Sequence, residues 1–184
     1  MSRFDEFREL IPHQPLTKPE LLRIAERQAD RLLAAHGITQ PPVPTWILRD
    51  FPRVRVDYWH QIPVSGSTHW TGHNWIIVLD ANEPTVRQRF TLAHELHHIL
   101  MHPARDLAYA HTTPALRPLN EVVANHFAAS LLMPRTFIER AAAQTTDVAV
   151  LASLFEVSTA AMRRRLTELN LTEPHLASPA GASR

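Results

Sequence analysis

Two histidines and a glutamate occur in this chain at the spacing that a hydrolytic metal centre needs. Residues 94–98 read His-Glu-Leu-His-His, which is an HExxH motif. Each residue of an α-helix advances by about 100°, so His94 and His98 lie on one face and can bind a single ion. Glu95 then lies beside the ion and can take a proton from a water whose pKa zinc lowers to roughly 7. The motif predicts a zinc-dependent hydrolase, most simply a peptidase, with Glu95 as the base.

The residues around the motif predict a helix with one buried face. Pro84 suits a first turn and Pro103 a stop, so the helix should run from about Thr85 to His102. The side of this helix opposite the two histidines is apolar and carries Leu92, Leu96, Ile99 and Leu100. One face of the helix is therefore expected to pack in the core while the other presents metal ligands.

A third protein ligand is expected, because tetrahedral zinc in catalytic sites takes three protein ligands and keeps a fourth position open. Glu121 is the best candidate, at the start of a second helical pattern that Pro134 ends. Ala124 and Ala128 share its face, and such small residues would allow a close approach to the first helix. Asn125, one turn after Glu121, could hydrogen-bond a ligating imidazole and fix its tautomer.

Other polar residues compete for roles in this site. His102 continues the spacing from His98, but Glu95 fits as a base only with His94 and His98, so His102 is expected to lie in the cleft beside the ligands. Asp106 and His111 lie in the connection between the two helices, where they are alternative third ligands. His97 and His126 point away from the ligand faces and are predicted to be solvated. The sequence does not identify the group that stabilises the oxyanion, for which four residues remain candidates: Tyr109, His111, His102 and His73.

Composition limits the classes of protein. A chain of 184 residues with 45% hydrophobic content predicts one core, and the absence of cysteine leaves nitrogen and oxygen as the metal donors. A net charge of +1 gives no broad electrostatic footprint for nucleic acid or an anionic membrane. The N-terminus lacks a signal-peptide pattern and no apolar run is long enough to span a bilayer, which predicts a cytoplasmic protein.

The first half of the chain predicts an α+β fold. A helix should begin after Thr17 and end at Gly37, and period-two patterns between Phe51 and Asp80 predict two to four strands. Residues 65–67 and 71–74 are predicted to be turns. Strands near residues 70–79 are expected to line a groove that binds an extended substrate by strand addition.

The chain divides into four predicted regions. Residues 1–16 are expected to be flexible, residues 17–145 to form the core domain, and residues 174–184 to be a disordered tail. Within residues 146–173, two helices with helix-turn-helix spacing are predicted, with Ser158 capping the second. Arginines 163–165 form a basic run there, which is more typical of a solvated face than of a DNA-binding one.

The motifs resemble those of the ImmA/IrrE metallopeptidases. The matching blocks are RFTLAHELHHILMH at residues 89–102, ExxANxFAAxLLMP at 121–134 and LASLFEVSTAAMRRRL at 151–166. The resemblance implies a zincin-like fold, with a small, mostly antiparallel sheet on the active-site helix and a helical region at the C-terminus. It also implies a gluzincin centre with one zinc ion on His94, His98 and Glu121, and with Glu95 as base.

The resemblance also suggests a substrate. Members of that family typically cut a helix-turn-helix repressor and so relieve repression, which predicts a protein partner. Many relatives carry glycine at the position of His97, a departure that leaves the ligands intact. The alternative hypothesis is a non-catalytic regulator, in which the metal only joins two helices and the C-terminal pair binds a repressor or DNA.

Overall fold

The computed structural model describes residues 3–12, 14–102 and 117–171. This part of the chain is α+β, as predicted, with a 3-10 turn at Thr45–Leu48 ahead of the sheet. Its helices and strands follow one another in the order α1 (Arg3–Arg8), α2 (Lys18–Ala35), β1 (Val54–Trp59), β2 (Gly66–Trp70), β3 (Trp75–Asp80), α3 (Thr85–Met101), α4 (Arg117–Leu132), α5 (Arg135–Ala142), α6 (Val148–Phe155) and α7 (Thr159–Glu168).

The sheet is mixed, whereas a mostly antiparallel sheet was expected. Its order is β1-β3-β2, with β1 parallel and β2 antiparallel to the central β3. The predicted turn at residues 71–74 joins β2 to β3, and the Thr71 amide donates to the Asn74 carbonyl at 3.0 Å. β3 is the central strand and contacts α3, and its Ile77, Val78 and Leu79 are buried.

The turn predicted at residues 65–67 is wrong, because Gly66 and Ser67 already belong to β2. The glycine permits a close approach to α3 rather than a reversal of the chain. A Cβ atom on Gly66 would lie 2.5 Å from Thr91 Cγ2. Only a residue without a side chain lets β2 lie this close to the helix.

Helix α3 lies in the middle of the molecule. It packs against β3 and β2 on one side and against α4 on the other, and α4 in turn packs against α2. The predicted apolar stripe of α3 is buried, with Leu92 at 1% exposure and Leu96, Ile99 and Leu100 at 0%. Burial of these side chains, at about 1.5–3 kcal/mol each, holds the helix in position.

The N-terminal segment contains a helix, whereas the sequence predicts a flexible segment over residues 1–16. It contains α1, and the side chains of Phe4, Phe7 and Ile11 are buried. The rings of Phe4 and Phe7 lie 5.1 and 5.5 Å from that of Phe51. The helix is too short and too charged to show a periodic pattern in the sequence. It is stabilised by burial of its aromatic rings against a residue that is distant in the chain.

The two predicted C-terminal helices are present as α6 and α7. Asp147 caps α6 and Ser158 caps α7, accepting from the Ala161 amide at 3.1 Å. The basic run at residues 163–165 does not form one solvated face. Arg165 is only 2% exposed and donates to the Met133 carbonyl at 3.1 Å, which anchors α7 to the core.

Candidate metal centre

The two histidines of the HExxH motif face the same point in space. Their rings come from consecutive turns of α3, and the Nε2 atoms of His94 and His98 are 3.0 Å apart. Both side chains are partly buried, at 13% and 21% exposure. The apolar stripe on the other side of α3 fixes the direction in which they point.

Glu121 completes this group from α4. One carboxylate oxygen, Oε2, lies 3.2 Å from His94 Nε2, and the other, Oε1, lies 3.4 Å from His98 Nε2. Ala124 and Ala128, one and two turns further along α4, are fully buried and bring that helix close to its neighbours. The small residues that the sequence offered on α4 thus allow the approach that delivers Glu121.

The three donors fit a zinc ion in spacing and in type. Ligand atoms about 2.0–2.1 Å from tetrahedral zinc are about 3.3–3.4 Å from one another. The donor separations of 3.0, 3.2 and 3.4 Å are close to this value. Within the described residues, this cluster is the one whose ligand atoms gather closely enough to hold a metal ion.

Two asparagines orient the imidazoles. Asn125 Oδ1 lies 3.0 Å from His94 Nδ1, so this nitrogen donates a proton and Nε2 keeps its lone pair for a metal. The amide nitrogen of Asn120, Nδ2, lies 3.4 Å from His98 Nδ1, and the amide oxygen of Asn120 is buried without a hydrogen-bond partner. Rotating that amide by about 180° places its oxygen on the Nδ1 proton, giving His98 the same tautomer as His94.

Glu95 lies beside the cluster and is held by the sheet. Its side chain is 8% exposed, and Thr68 Oγ1 of β2 donates a 2.6 Å hydrogen bond to Oε2. Burial raises the pKa of Glu95, while the Thr68 hydrogen bond and the charge of His94 lower it in part. A buried carboxylate with a raised pKa is a stronger proton acceptor than a solvated one.

His97 is not solvated, contrary to the prediction. It is fully buried, and its ring lies 5.0 Å from that of Phe127 on α4. Burial holds the pKa of His97 well below its ordinary value, so the ring is neutral. The prediction failed because α3 is covered by α4 as well as by the sheet.

His126 is also not simply solvated, since its Nε2 lies 3.1 Å from Glu26 Oε1 of α2.

Among the described residues, two further candidates, His102 and His73, do not join the three donors. His102 follows α3, and its ring packs edge-on 4.8 Å from Trp75, away from the donor cluster. His73 is exposed in the turn between β2 and β3. Asp106, Tyr109, His111, the stop at Pro103 and the tail at 174–184 lie outside the described residues.

Sequence reasoning missed Thr68, Gly66 and Asn120. The contact between Thr68 and Glu95 spans 27 residues, and nothing in the local pattern of β2 announces it. The sequence around Gly66 predicts a turn, whereas the structure places Gly66 at the start of β2. Asn120 could have been found, because on a helix it lies next to Glu121 and one turn before the side chains that face α3.

An HExxH helix beside a small sheet, with a glutamate supplied by the next long helix, defines the class of metallopeptidase-like α+β domains. The sequence signature of the IrrE N-terminal-like domain, the M78 peptidase family, matches residues 53–167. This match covers more than half of the chain, and the chain therefore belongs to that family.

Solved structures show the same fold. A Mycobacterium tuberculosis transcriptional regulator superposes with a TM-score of 0.59 at 18% sequence identity, over 89% of this chain and 51% of that chain. The present chain thus spans about half the length of this neighbour. A search of curated proteins found no match. Among the described residues, no helix combines the length and apolarity needed to cross a bilayer.

Proposed function

We propose that this protein is a zinc-dependent endopeptidase that hydrolyses a peptide bond in a regulator protein. The observation that carries the proposal is the convergence of His94, His98 and Glu121 beside a buried Glu95 that bonds to Thr68. A structural zinc site is typically closed by four protein ligands, whereas these three donors leave a fourth position for water. Glu95 is about 100° around α3 from His94, so it lies beside the donors rather than among them, and it suits general base catalysis.

Three residues around the donors have defined parts in this hydrolysis. Zinc, when bound, supplies a Lewis acid that polarises the scissile carbonyl and acidifies water. Glu95 accepts the proton of the attacking water and passes it to the leaving amine, so that the base becomes the acid of the second step. Thr68 holds Oε2 of Glu95 in one orientation, and Asn125 keeps the Nδ1 proton of His94 in place during the cycle.

The sheet edge offers a way to position the substrate. In the described part of the chain, no strand pairs with the outer edge of β2. An extended peptide added there gains backbone hydrogen bonds and lies next to Thr68, and so next to Glu95. This mode of binding places peptide backbone, rather than a particular side chain, at the reacting centre.

The class of substrate follows from the resemblance to ImmA/IrrE proteins. These proteins cut helix-turn-helix repressors, and we propose such a repressor as the substrate here. Membership in the M78 peptidase family supports the hydrolysis of a peptide bond. The structural neighbour is itself described as a transcriptional regulator, in line with a role in gene control.

Co-expression with candidate repressors, encoded next to this protein, tests the proposal. The wild-type chain should yield a repressor fragment, whereas Glu95→Gln should retain about one zinc per chain and yield none. Glu139→Gln, an exposed change on α5, serves as the matched control and should cleave like the wild type. Zinc-replete wild-type protein that leaves every candidate and a broad peptide library intact would refute the peptidase assignment.

The rival function is a regulator in which metal only stabilises the fold. One observation favours a role in binding: α6 and α7 form an anchored helical pair, with Arg89 of α3 at 2.9 Å from Glu156 between them. With Arg165 buried, however, the basic run presents only Arg163 and Arg164 outward. Under this rival, Glu95→Gln would leave the cellular effect of the protein unchanged, which distinguishes the two functions.

A further inference from the structure

A groove of about 770 Å³ lies between α3, α4 and α7, next to the metal centre, with which it shares Asn125. It is lined by Asn125, whose amide orients His94, and extends past Phe90 on α3 and Ala129 on α4. His94 of α3 faces Asn125 of α4. Phe90 lies one turn before His94, and Ala129 lies one turn after Asn125. The groove therefore lies beside the metal centre along the same pair of helices, and α7 lines it with Ala161.

The direction of β2 leads a bound strand toward this groove. Gly66 lies against Thr91 and Thr68 against Glu95, so β2 and α3 run side by side in the same direction. A peptide paired with the outer edge of β2 would follow that direction across the metal centre. At the Gly66 end it reaches Arg87, which lines the groove and donates to Ser65 at 3.1 Å.

The lining of the groove combines apolar surface with positive charge. Phe90 and Ala129 contribute apolar surface, and Val122 is 38% exposed beside them. Three cationic side chains line the groove and are not spent on the core: Lys18, Arg87 and Arg164. Among the described lining residues, Glu168 is the one carboxylate.

The cations of the groove are available to a ligand. Arg164 is 74% exposed and lies 3.1 Å from Glu168, while Arg87 is 55% exposed and lies 3.8 Å from Glu83. An exposed pair such as Arg164–Glu168 contributes about 0–1 kcal/mol, so a ligand carboxylate can replace Glu168 at little cost. Arg165, which also lines the groove, is instead held by the Met133 carbonyl.

We propose that this groove binds the segment of the protein substrate next to the cleaved bond, and that it selects apolar residues interspersed with aspartate or glutamate. The proposal rests on the proposed function, because the groove lies next to the metal centre and shares Asn125 with it. Its volume lies within the range of about 300–1,000 Å³ typical of small-ligand sites. It accommodates a few side chains of an extended segment and not a folded domain.

Binding of labelled peptides to the Glu95→Gln chain, measured by fluorescence anisotropy, tests this selection. Three peptides share one central segment and differ in the flanking stretch. In the first peptide this stretch contains leucine, phenylalanine and glutamate, in the second lysine replaces the glutamate, and in the third the stretch contains only glycine and serine. The glutamate peptide should bind about tenfold more tightly than the lysine peptide, and this preference should weaken with salt. Equal affinity for the two charged peptides would overturn the proposal.

Two variants locate the binding site. Arg164→Glu should weaken binding of the glutamate peptide by about fivefold or more, and Ala161→Phe should do so by filling the groove. Arg163→Glu is the matched control, since this exposed neighbour on α7 does not line the groove, and it should bind like the parent. Equal losses in Arg163→Glu and Arg164→Glu would reduce the effect to overall charge and contradict the assignment.

The failure of this proposal can be told apart from that of the proposed function. Selective binding that Arg164→Glu weakens, together with no cleavage by the zinc-loaded wild type, would support the groove and refute the peptidase. Cleavage of all three peptides at equal efficiency would do the reverse. Tight binding of dodecanoate without any preference among the peptides would assign the groove to a small amphiphile and overturn the proposal.

Discussion

Replacing Gly66 with alanine should disable the centre without touching a ligand or the base. The new Cβ would lie 2.5 Å from Thr91 Cγ2, about 1 Å inside the shortest favourable carbon contact of about 3.5 Å. The strand cannot turn aside, because the Val78 carbonyl oxygen is already 3.1 Å from that Cβ and Leu79 Cδ2 is 3.2 Å away. We therefore expect β2 to move away from α3 by about 1 Å, at a cost of about 1–3 kcal/mol in stability.

Such a displacement acts on Glu95 through Thr68. Their hydrogen bond of 2.6 Å would lengthen to about 3.5 Å, which is beyond a useful hydrogen bond. Peptide hydrolysis by Gly66→Ala should then fall by about tenfold or more, while zinc content stays at the wild-type level, because no ligand comes from β2. Activity follows from cleavage of an internally quenched peptide, and stability from urea unfolding.

Two further variants make this reasoning refutable. Thr91→Ser removes the clashing methyl group, so Gly66→Ala/Thr91→Ser should recover most of the activity that Gly66→Ala loses. Gly37→Ala is the control for stability alone, since its φ of +64° strains alanine but nothing lies within 4 Å of the added atom. It should lower stability by about 1 kcal/mol and leave activity intact. Full activity in Gly66→Ala, or no recovery in the double variant, would refute the argument.

Three other outcomes are expected. Thr68→Val removes a hydrogen bond of about 1.5–3 kcal/mol that favours the charged carboxylate of Glu95, so the pKa of Glu95 should rise. The acid limb of the pH–rate profile should therefore move to higher pH, and Thr68→Ser should restore the wild-type profile. Asn125→Ala should weaken zinc binding by about 10- to 100-fold in a competition titration with a chelator, and an affinity equal to the wild type would remove its role in orienting His94. Arg89→Ala removes a buried guanidinium that donates to the Val43 carbonyl at 2.8 Å and contacts the half-exposed Glu156 at 2.9 Å, and it should lower the free energy of unfolding by about 1.5–3 kcal/mol. The exposed Arg87→Ala should lower it by less than about 1 kcal/mol.

Local periodicity was enough to predict the helices that carry the three candidate metal donors. The spacing of His94 and His98 has meaning only on a helix, and the apolar stripe opposite them fixes which way that helix faces. Glu121 could be selected because its own helix offers small residues toward a partner. These inferences depend on contacts within one or two helical turns, which a sequence displays directly.

Features that depend on distant contacts were not predictable. The partner of Glu95 lies on another strand, the burial of His97 depends on Phe127 of α4, and α1 is held by Phe51. The parallel pairing of β1 with β3 likewise follows from how the chain returns to the sheet, not from the alternation within either strand. In each case the deciding energy is a tertiary one, and it overrides the local pattern.

The most direct test of the metal centre is a crystal structure of the zinc-soaked protein with anomalous scattering measured on either side of the zinc absorption edge. We expect one strong peak per chain, about 2.0–2.2 Å from Nε2 of His94, Nε2 of His98 and a carboxylate oxygen of Glu121, with an open fourth position. A peak on other side chains, or none at this point in protein that binds zinc in solution, would contradict the account.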